Sequence, residues 1–133
     1  AAGGMGAALL AFCNARLQSG IRTILKMVDF EAIIADADLI LTGEGRIDGQ
    51  SACGKVLDGI GFYAKKQNLP VLALAGSMGE GAETVYACGI DSIMTTQNRP
   101  MELEEALEQA EDLYRDAAKR MFRILRAVIA VKK

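Results

Sequence analysis

Three short apolar runs, each followed by glycine or polar residues, set the strongest limit on what this chain can fold into. They lie near residues 38–42, 71–75 and 91–95, and stretches with a helical spacing of apolar residues separate them. Runs this short and apolar are typical of strands buried on both faces, as in parallel sheets covered by helices. The pattern predicts an α/β chain: a Rossmann-like three-layer domain with a parallel sheet, preceded by a helical segment.

Apolar residues spaced by three or four positions predict the helices. Residues 5–17 and 21–35 are expected to be helical, and Asp29 is placed to cap a second short helix within the latter. Further helices are predicted at 55–67, 81–87 and 102–129. The last of these is expected to bury a stripe made of Leu103, Ala106, Leu107, Ala110, Leu113, Ala117, Met121, Ile124 and Val128.

Near residues 35–38 the helical spacing of apolar residues gives way to the first short apolar run, and we place the domain boundary there. We expect residues 1–36 to belong to a second domain in a longer parent chain, and residues 37–133 to form the Rossmann-like domain. The chain begins with alanine, which we interpret as the mark of a fragment. Its apolar share exceeds the roughly 45–50% of an ordinary soluble domain once glycine is counted, which favours a covered sheet or a surface that meets another part of the parent.

Right-handed crossovers bring the carboxyl ends of parallel strands to one edge, where ligands bind in open α/β sheets. In this chain that edge would carry the loops 43–54, 76–80 and 96–100. Two glycine-rich segments that are distant in sequence are therefore expected to face one crevice.

Composition excludes several classes of function. The net charge is −2 and tryptophan is absent, so a basic, base-stacking surface for nucleic acid is not expected. No apolar run approaches the roughly 18–20 residues of a membrane span. Histidine is also absent, which removes the Ser-His-Asp triad and histidine metal sites. Any metal site would consist of carboxylates and water, which suits Mg²⁺.

The three cysteines are widely spaced and odd in number, which favours reduced thiols in a cytoplasmic protein. Cys53 lies in the glycine-rich loop, but without a histidine to activate it a nucleophilic role is not favoured.

The loop TGEGRIDGQSACGK, residues 42–55, combines glycines with both signs of charge. Arg46 can hold a carboxylate or phosphate through two parallel hydrogen bonds. Lys55 lies at the start of a predicted helix, where free N–H groups attract anions. Glu44 and Asp48 are the carboxylates that could hold Mg²⁺, or they could form salt bridges with Arg46 and Lys55 inside the loop.

The loop does not match either of the two standard phosphate-binding motifs, the P-loop and the dinucleotide-binding glycine pattern. Residues 49–56 nearly match the P-loop pattern, but Val56 replaces the hydroxyl residue that binds Mg²⁺. The glycines of residues 43–49 miss the dinucleotide spacing by one position. A less standard anion site is therefore expected.

The run TGEGRIDGQSACGK, together with VLALAGSMG at 71–79, resembles the C-terminal part of the bacterial type of glycerate kinase. The segments AAGGMGAALLAF at the start, SIMTT at 92–96 and MELEEAL at 101–107 extend the resemblance over nearly the whole chain. The resemblance implies an ATP-dependent phosphotransferase that, with Mg²⁺, moves the γ-phosphoryl group to D-glycerate and gives 2-phosphoglycerate.

The resemblance also suggests roles for the loop residues. Arg46 or Lys55 would bind the carboxylate of glycerate or the transferred phosphate, and Asp48 would accept the hydroxyl proton or hold the metal. From the residues alone, Ser77 is expected either to cap the next helix or to contact a ligand. The expected substrate- and phosphate-binding residues are Gly43, Glu44, Gly45, Gln50, Ser51, Gly76 and Ser77.

The resemblance does not extend to the N-terminal portion of the family, where we expect much of the nucleotide site and part of the sheet to lie. We therefore expect the chain to fold, to form a homo-oligomer through its uncovered surfaces, and not to phosphorylate glycerate alone. Two other functions remain open from the residues. One is an α/β module that binds an anionic metabolite without chemistry, and the other is a structural domain whose charged loop docks a partner.

Overall fold

A computed structural model describes residues 2–52 and 54–131. Cys53, the thiol of the glycine-rich loop, lies outside the described residues. A 3-10 turn at Ala2–Gly4 opens the chain. The elements that follow are α1 Met5–Cys13, α2 Gly20–Met27, α3 Phe30–Ile33, β1 Ile40–Ile47, α4 Val56–Gln67, β2 Val71–Met78, α5 Thr84–Cys88, β3 Ser92–Thr95, α6 Leu103–Glu108 and α7 Ala110–Val131.

The strands form one parallel sheet of order β1-β2-β3. Ile40 aligns with Val71, and Leu72 aligns with Ser92. Because all three strands run the same way, their carboxyl ends meet at one edge, as the sequence predicted. The parallel α/β fold is confirmed.

Helices cover both faces of the sheet. The crossovers β1-α4-β2 and β2-α5-β3 place α4 and α5 on the same face, which is expected when successive right-handed crossovers step in one direction. The core on that face consists of Ile34, Ile40, Ile47, Leu57, Ala64, Val71, Ala73, Ala75, Ala82, Val85 and Ile90. On the opposite face α7 packs over a smaller cluster of Leu74, Ala117 and Met121.

Both β1 and β2 are longer than predicted, because the ladder continues through glycines that read as loop in the sequence. β1 runs to Ile47 and β2 to Met78. Residues 43–47 and 76–78, which were predicted to begin the two loops, therefore belong to the strands. A side chain on Gly76 would overlap the Gly45 carbonyl oxygen. Glycine at position 76 therefore permits the close approach of the two strands that keeps them paired.

The predicted helix 102–129 is two helices, and its predicted buried stripe is wrong over most of its length. Gln109 separates α6 from α7. The buried apolar positions are Leu113, Ala117 and Met121, where α7 crosses the sheet. The helix periodicity identified an apolar face, but a three-stranded sheet is too narrow to cover all of it. Side chains of the predicted stripe that are exposed are Leu103, Leu107, Ala110, Ile124 and Val128.

The N-terminal helices are shorter than predicted. α1 ends at Cys13, and the next residue, Asn14, has a left-handed backbone with φ of 48°. Asp29 does separate α2 from α3, but its side chain makes no capping hydrogen bond. Its φ of 51° is left-handed, whereas a capping residue has an extended backbone. α5 likewise begins at Thr84, later than predicted.

The segment α2–α3 packs on the outer side of α4. A side chain on Gly59 of α4 would lie 2.6 Å from Ile21 Cγ1, and the rings of Phe30 and Tyr63 meet edge to face at 5.9 Å. By contrast, α1 has no buried residue. The assignment of residues 1–36 to a second domain concerns the parent chain and stays a prediction.

Within the described residues, none of the helices combines the length and apolar character that crossing a membrane requires.

Candidate functional site

A cavity of about 520 Å³ lies beside the carboxyl ends of β1 and β2, on the face covered by α7. We call it the edge cavity. The strands form its floor, the loop after β3 closes one end, and α6 with the start of α7 forms the facing wall. Its lining residues are Gly43, Glu44, Gly45, Leu74, Gly76, Ser77, Thr96, Gln97, Leu103, Ala106, Leu107, Ala110 and Tyr114.

Half of the residues proposed from the sequence meet in this cavity: Gly43, Glu44, Gly45, Gly76 and Ser77. The register explains why, since Glu44 aligns with Ala75 and Arg46 aligns with Ser77 on the neighbouring strand. The two glycine-rich segments therefore face one crevice, as expected from parallel strands. Because these residues lie in strands rather than in a mobile loop, their backbone positions are fixed by the ladder.

The other proposed residues, Arg46, Asp48, Gln50, Ser51 and Lys55, are absent from the lining of the edge cavity. Asp48, Gln50 and Ser51 form a tight turn instead. Asp48 Oδ1 accepts hydrogen bonds from the Gln50 N–H at 3.0 Å and from Ser51 Oγ at 3.5 Å. Ser51 Oγ in turn accepts the Asp48 N–H at 3.1 Å. This arrangement is the local Asx turn that aspartate commonly forms, and it holds the Asp48 carboxylate in one orientation.

Arg46 forms the salt bridge that the sequence allowed as an alternative role. Its Nε lies 3.7 Å from Asp48 Oδ2, and the two side chains are 65% and 34% exposed. The pair lies against Gly79, where an added side chain would come within 2.7 Å of Arg46 Nη2. An exposed pair of this kind contributes little to stability, and the guanidinium has further N–H donors with which to bind an anion.

Lys55 is exposed and occupies the position just before α4. The first turn of α4 receives no side-chain cap from it. Uncapped N–H groups at a helix start attract anions, so the anion-binding role of Lys55 stays a prediction with a suitable backbone beside it.

Sequence reasoning missed the wall formed by α6 and α7. Thr96 and Gln97 from the loop after β3, together with Leu107 and Tyr114 from the helices, complete the lining. The predicted loop 96–100 at the same edge was the available signal. The helices themselves gave no such signal, because their apolar residues were interpreted as core.

An ion pair ties α6 to the loop after β3. Arg99 Nη2 lies 2.6 Å from Glu105 Oε1, and Gln109 Nε2 donates to the same oxygen at 3.2 Å. The hydrogen bond from Arg99 lowers the pKa of the Glu105 carboxyl, and the same bond raises the pKa of Arg99. The pair therefore helps to hold the outer wall of the edge cavity beside its end.

The two carboxylates proposed for Mg²⁺ are placed differently. Glu44 lines the edge cavity, whereas Asp48 belongs to the turn that follows β1. Across residues 2–52 and 54–131, no cluster of three or more potential metal ligands exists. Magnesium that arrives with a nucleotide needs only one or two carboxylates, because phosphate and water supply the remaining ligands. A single carboxylate such as Glu44 or Asp48 fits that need.

The comparisons with known proteins agree with one another. The sequence profile of the Glycerate kinase family matches residues 1–126. A glycerate kinase from Halalkalibacterium halodurans is 44% identical over 119 residues, which cover 90% of this chain and 31% of that protein. A glycerate 2-kinase from Escherichia coli K12 is 45% identical over 112 residues, covering 84% of this chain and 29% of that protein.

A solved structure gives the same answer for the fold. A protein from Salmonella typhimurium LT2, provisionally named glycerate kinase 2, superimposes with a TM-score of 0.70 and 42% sequence identity. The match covers 98% of this chain and 33% of that one. This chain thus spans about a third of the length of the relatives it matches, and over that span it belongs to the glycerate kinase family.

Proposed function

We propose that this chain supplies the C-terminal third of a glycerate kinase that transfers the γ-phosphoryl group of ATP to D-glycerate, giving 2-phosphoglycerate. Family membership supports the reaction class, and the name of the Escherichia coli relative supports the 2-hydroxyl as acceptor. The observation that carries the proposal is the path of β1. Within four residues the chain passes from Glu44, in the lining of the edge cavity, to the ion pair of Arg46 and Asp48 at the end of β1, outside that lining.

The loop residues are chemically adequate for phosphoryl transfer, which depends mainly on positioning and on charge neutralisation. Arg46 and Lys55 would neutralise the glycerate carboxylate or the transferred phosphate. Asp48 would accept the proton of the attacking hydroxyl, and its turn fixes the direction of its carboxylate. Mg²⁺, held by Glu44 or Asp48 together with nucleotide phosphates, would supply further neutralisation of charge.

The test is turnover of D-glycerate and ATP by the longer parent chain. Asp48→Asn retains an oxygen that can accept the Gln50 N–H but loses the charge. We expect at least a tenfold loss of turnover, or about 1.4 kcal/mol of transition-state stabilisation, and the same for Arg46→Ala. Exposed Asp36, replaced by Asn, is the matched control. Phosphorus NMR of the product distinguishes 2- from 3-phosphoglycerate.

A module that binds an anionic metabolite without chemistry is the second candidate. The hydrogen bonds among Asp48, Gln50 and Ser51 favour it, because these polar groups already serve the fold of their own turn. It predicts that an anion stabilises the parent chain but that no phosphate is transferred. Any transfer of phosphate to D-glycerate by the parent chain would contradict this candidate, whereas wild-type turnover in both Asp48→Asn and Arg46→Ala would count only against a catalytic role of the loop.

The 133-residue chain alone is expected to be inactive and to self-associate. Large apolar side chains are exposed on α1 and at the end of α7, among them Phe12 at 87% and Val131 at 85%. Exposed apolar surface of this kind favours association. Light scattering that shows a strict monomer at high concentration would contradict the homo-oligomer, and ADP release that depends on glycerate would contradict the inactivity.

A further inference from the structure

We infer that the edge cavity binds the nucleoside end of ATP, with Glu44 accepting the ribose hydroxyls, and that glycerate and the phosphates lie outside it toward Arg46. The inference rests on the proposed function and names which part of which substrate this cavity takes. Of the two carboxylates considered for Mg²⁺, it assigns Glu44 to the ribose and leaves Asp48 for the metal.

Size is the first reason. The cavity encloses about 520 Å³, a volume typical of sites for drug-sized ligands. Glycerate has only three carbons, and a cavity of this volume would leave most of its surface in contact with water rather than protein. A nucleoside, with a bicyclic base and a ribose, is the substrate part whose dimensions match.

Charge is the second reason. Glu44 is the one ionisable side chain of the lining other than the phenol of Tyr114, and it is an anion. A negative lining repels a carboxylate or a triphosphate, and repulsion is stronger where water is partly excluded. The cations proposed for the anionic groups, Arg46 and Lys55, lie outside the lining. The uncharged end of ATP is therefore the end that this cavity can accept.

The composition of the outer wall is the third reason. Leu103, Leu107 and Tyr114 line the cavity and are 70%, 67% and 57% exposed. A flat base that packs against these side chains would remove apolar surface from water, and an aromatic ring such as that of Tyr114 also offers a stacking surface. A base in this position would cover these exposed side chains.

Glu44 supplies the polar anchor. Within residues 2–52 and 54–131 its carboxylate makes no hydrogen bond or ion pair. An ionised carboxylate only accepts hydrogen bonds, and the 2′- and 3′-hydroxyls of a ribose are two adjacent donors. An acidic side chain has this role in dinucleotide-binding α/β folds.

The direction of the chain places the phosphates. β1 leaves the cavity at Gly45 and continues to Arg46, which aligns with Ser77 of the lining. In a nucleotide that binds this way, the base contacts Leu107 and the ribose contacts Glu44. Its phosphates would then pass the point where Gly45 and Gly76 lie close together and reach the ion pair of Arg46 and Asp48.

The experiment measures binding of adenosine, which has no phosphate, to the 133-residue chain by calorimetry without Mg²⁺. Wild type is expected to show saturable binding. Glu44→Ala is expected to weaken adenosine binding about tenfold, while 2′,3′-dideoxyadenosine binds wild type and Glu44→Ala equally. A metal-ligating or merely structural role of Glu44 would not produce that difference between the two nucleosides. Glu44→Gln, which retains one acceptor oxygen, is expected to be intermediate.

Leu107→Ser provides a second test, because Leu107 is 67% exposed and its replacement is expected to leave the fold intact. It is expected to weaken both nucleosides by a similar several-fold factor. Ile33→Ser is the matched control, since Ile33 is 65% exposed on α3 and outside the cavity, and it is expected to leave binding unchanged.

Two results would overturn the inference: absence of saturable adenosine binding, or equal weakening of both nucleosides by Glu44→Ala in a variant that unfolds like wild type. Turnover of D-glycerate by the parent chain is read separately. Turnover without adenosine binding would refute the nucleoside site alone, whereas adenosine binding without turnover would refute the proposed reaction alone.

Discussion

On the face of the sheet covered by α4 and α5, buried side chains from helices and strands form one continuous core. On the face covered by α7, the buried cluster consists of Leu74, Ala117 and Met121. The edge cavity and two smaller cavities, of about 200 and 210 Å³, lie on this second face. The sheet is thus closely packed on one side and loosely covered on the other.

The difference suggests that one face of the sheet provides most of the stability, while the other face leaves room for a ligand. The packed face can hold the strands in register without help from α6 or the outer turns of α7. The covering helices of the other face are then free to leave a space beside the strand ends. Polar and glycine residues at positions 43–45 and 76–77 can line that space because the core on the opposite face holds the sheet together.

Leu57→Ala should produce the largest effect, because Leu57 is fully buried in the packed core. We expect a loss of about 4 kcal/mol in the free energy of unfolding, from lost burial and the cavity left behind. Urea unfolding followed by circular dichroism measures it. Leu103→Ala, at a 70% exposed position, should change stability by less than about 0.5 kcal/mol.

Gly76→Ala tests the close approach of the β1 and β2 backbones at Gly45 and Gly76. The added side chain would overlap the Gly45 carbonyl oxygen, so the strands must move apart at a cost of about 2–3 kcal/mol. Gly45→Ala is the matched control, because a side chain there meets nothing within 4 Å. Equal stability of the two variants would show that the strands are not held as closely as the structure indicates.

Met121→Ala should cost about 2 kcal/mol, at the low end for a buried methionine. Met121 is 6% exposed but adjoins both smaller cavities, so it has fewer neighbours to lose than Leu57. A loss as large as that of Leu57→Ala would remove the contrast between the two faces.

Glu105→Gln should have the smallest effect, and the effect should depend on pH. The pKa of Glu105 is lowered from its ordinary value of 4.5 by Arg99. Its contribution to stability is therefore present above that value and is lost as the pH falls through the lowered pKa. Wild type should unfold at slightly higher urea than Glu105→Gln at neutral pH, and the gap should close in acid. A gap independent of pH would show that the ion pair does not hold α6.

The sequence predicted the sheet well and the ends of its strands poorly. Apolar runs such as residues 71–75 identify buried strands through their composition alone. Residues 43–46 have no such composition, and they continue strand β1 because Gly76 allows the neighbouring backbone to come close. That reason lies in a residue more than one element away, so no local pattern could have shown it.

The sequence also predicted only part of the candidate site. Glu44 and Ser77 meet in the edge cavity as the parallel sheet required, whereas Asp48 and Ser51 first serve their own turn. Leu107 and Tyr114 were not predicted to line the cavity. An apolar stripe on a helix shows that a face can be covered, but it does not identify what covers it.

The register of the sheet also has a consequence for the order of folding. Pairing Leu72 with Ser92 closes a shorter loop than pairing Ile40 with Val71. The entropy difference is less than the roughly 0.6 kcal/mol of a doubled loop. Two hydrogen bonds between Val71 and Asp91 also favour the β2–β3 pairing. The Val71 N–H donates to Asp91 Oδ2 at 2.7 Å, and the Asp91 N–H donates to the Val71 carbonyl at 2.8 Å.

We therefore expect β2 and β3 to pair first in the folding nucleus. In stopped-flow kinetics, Ile93→Ala should give a higher φ-value than Ile40→Ala. The reverse order of φ-values would show that the α4 crossover closes first.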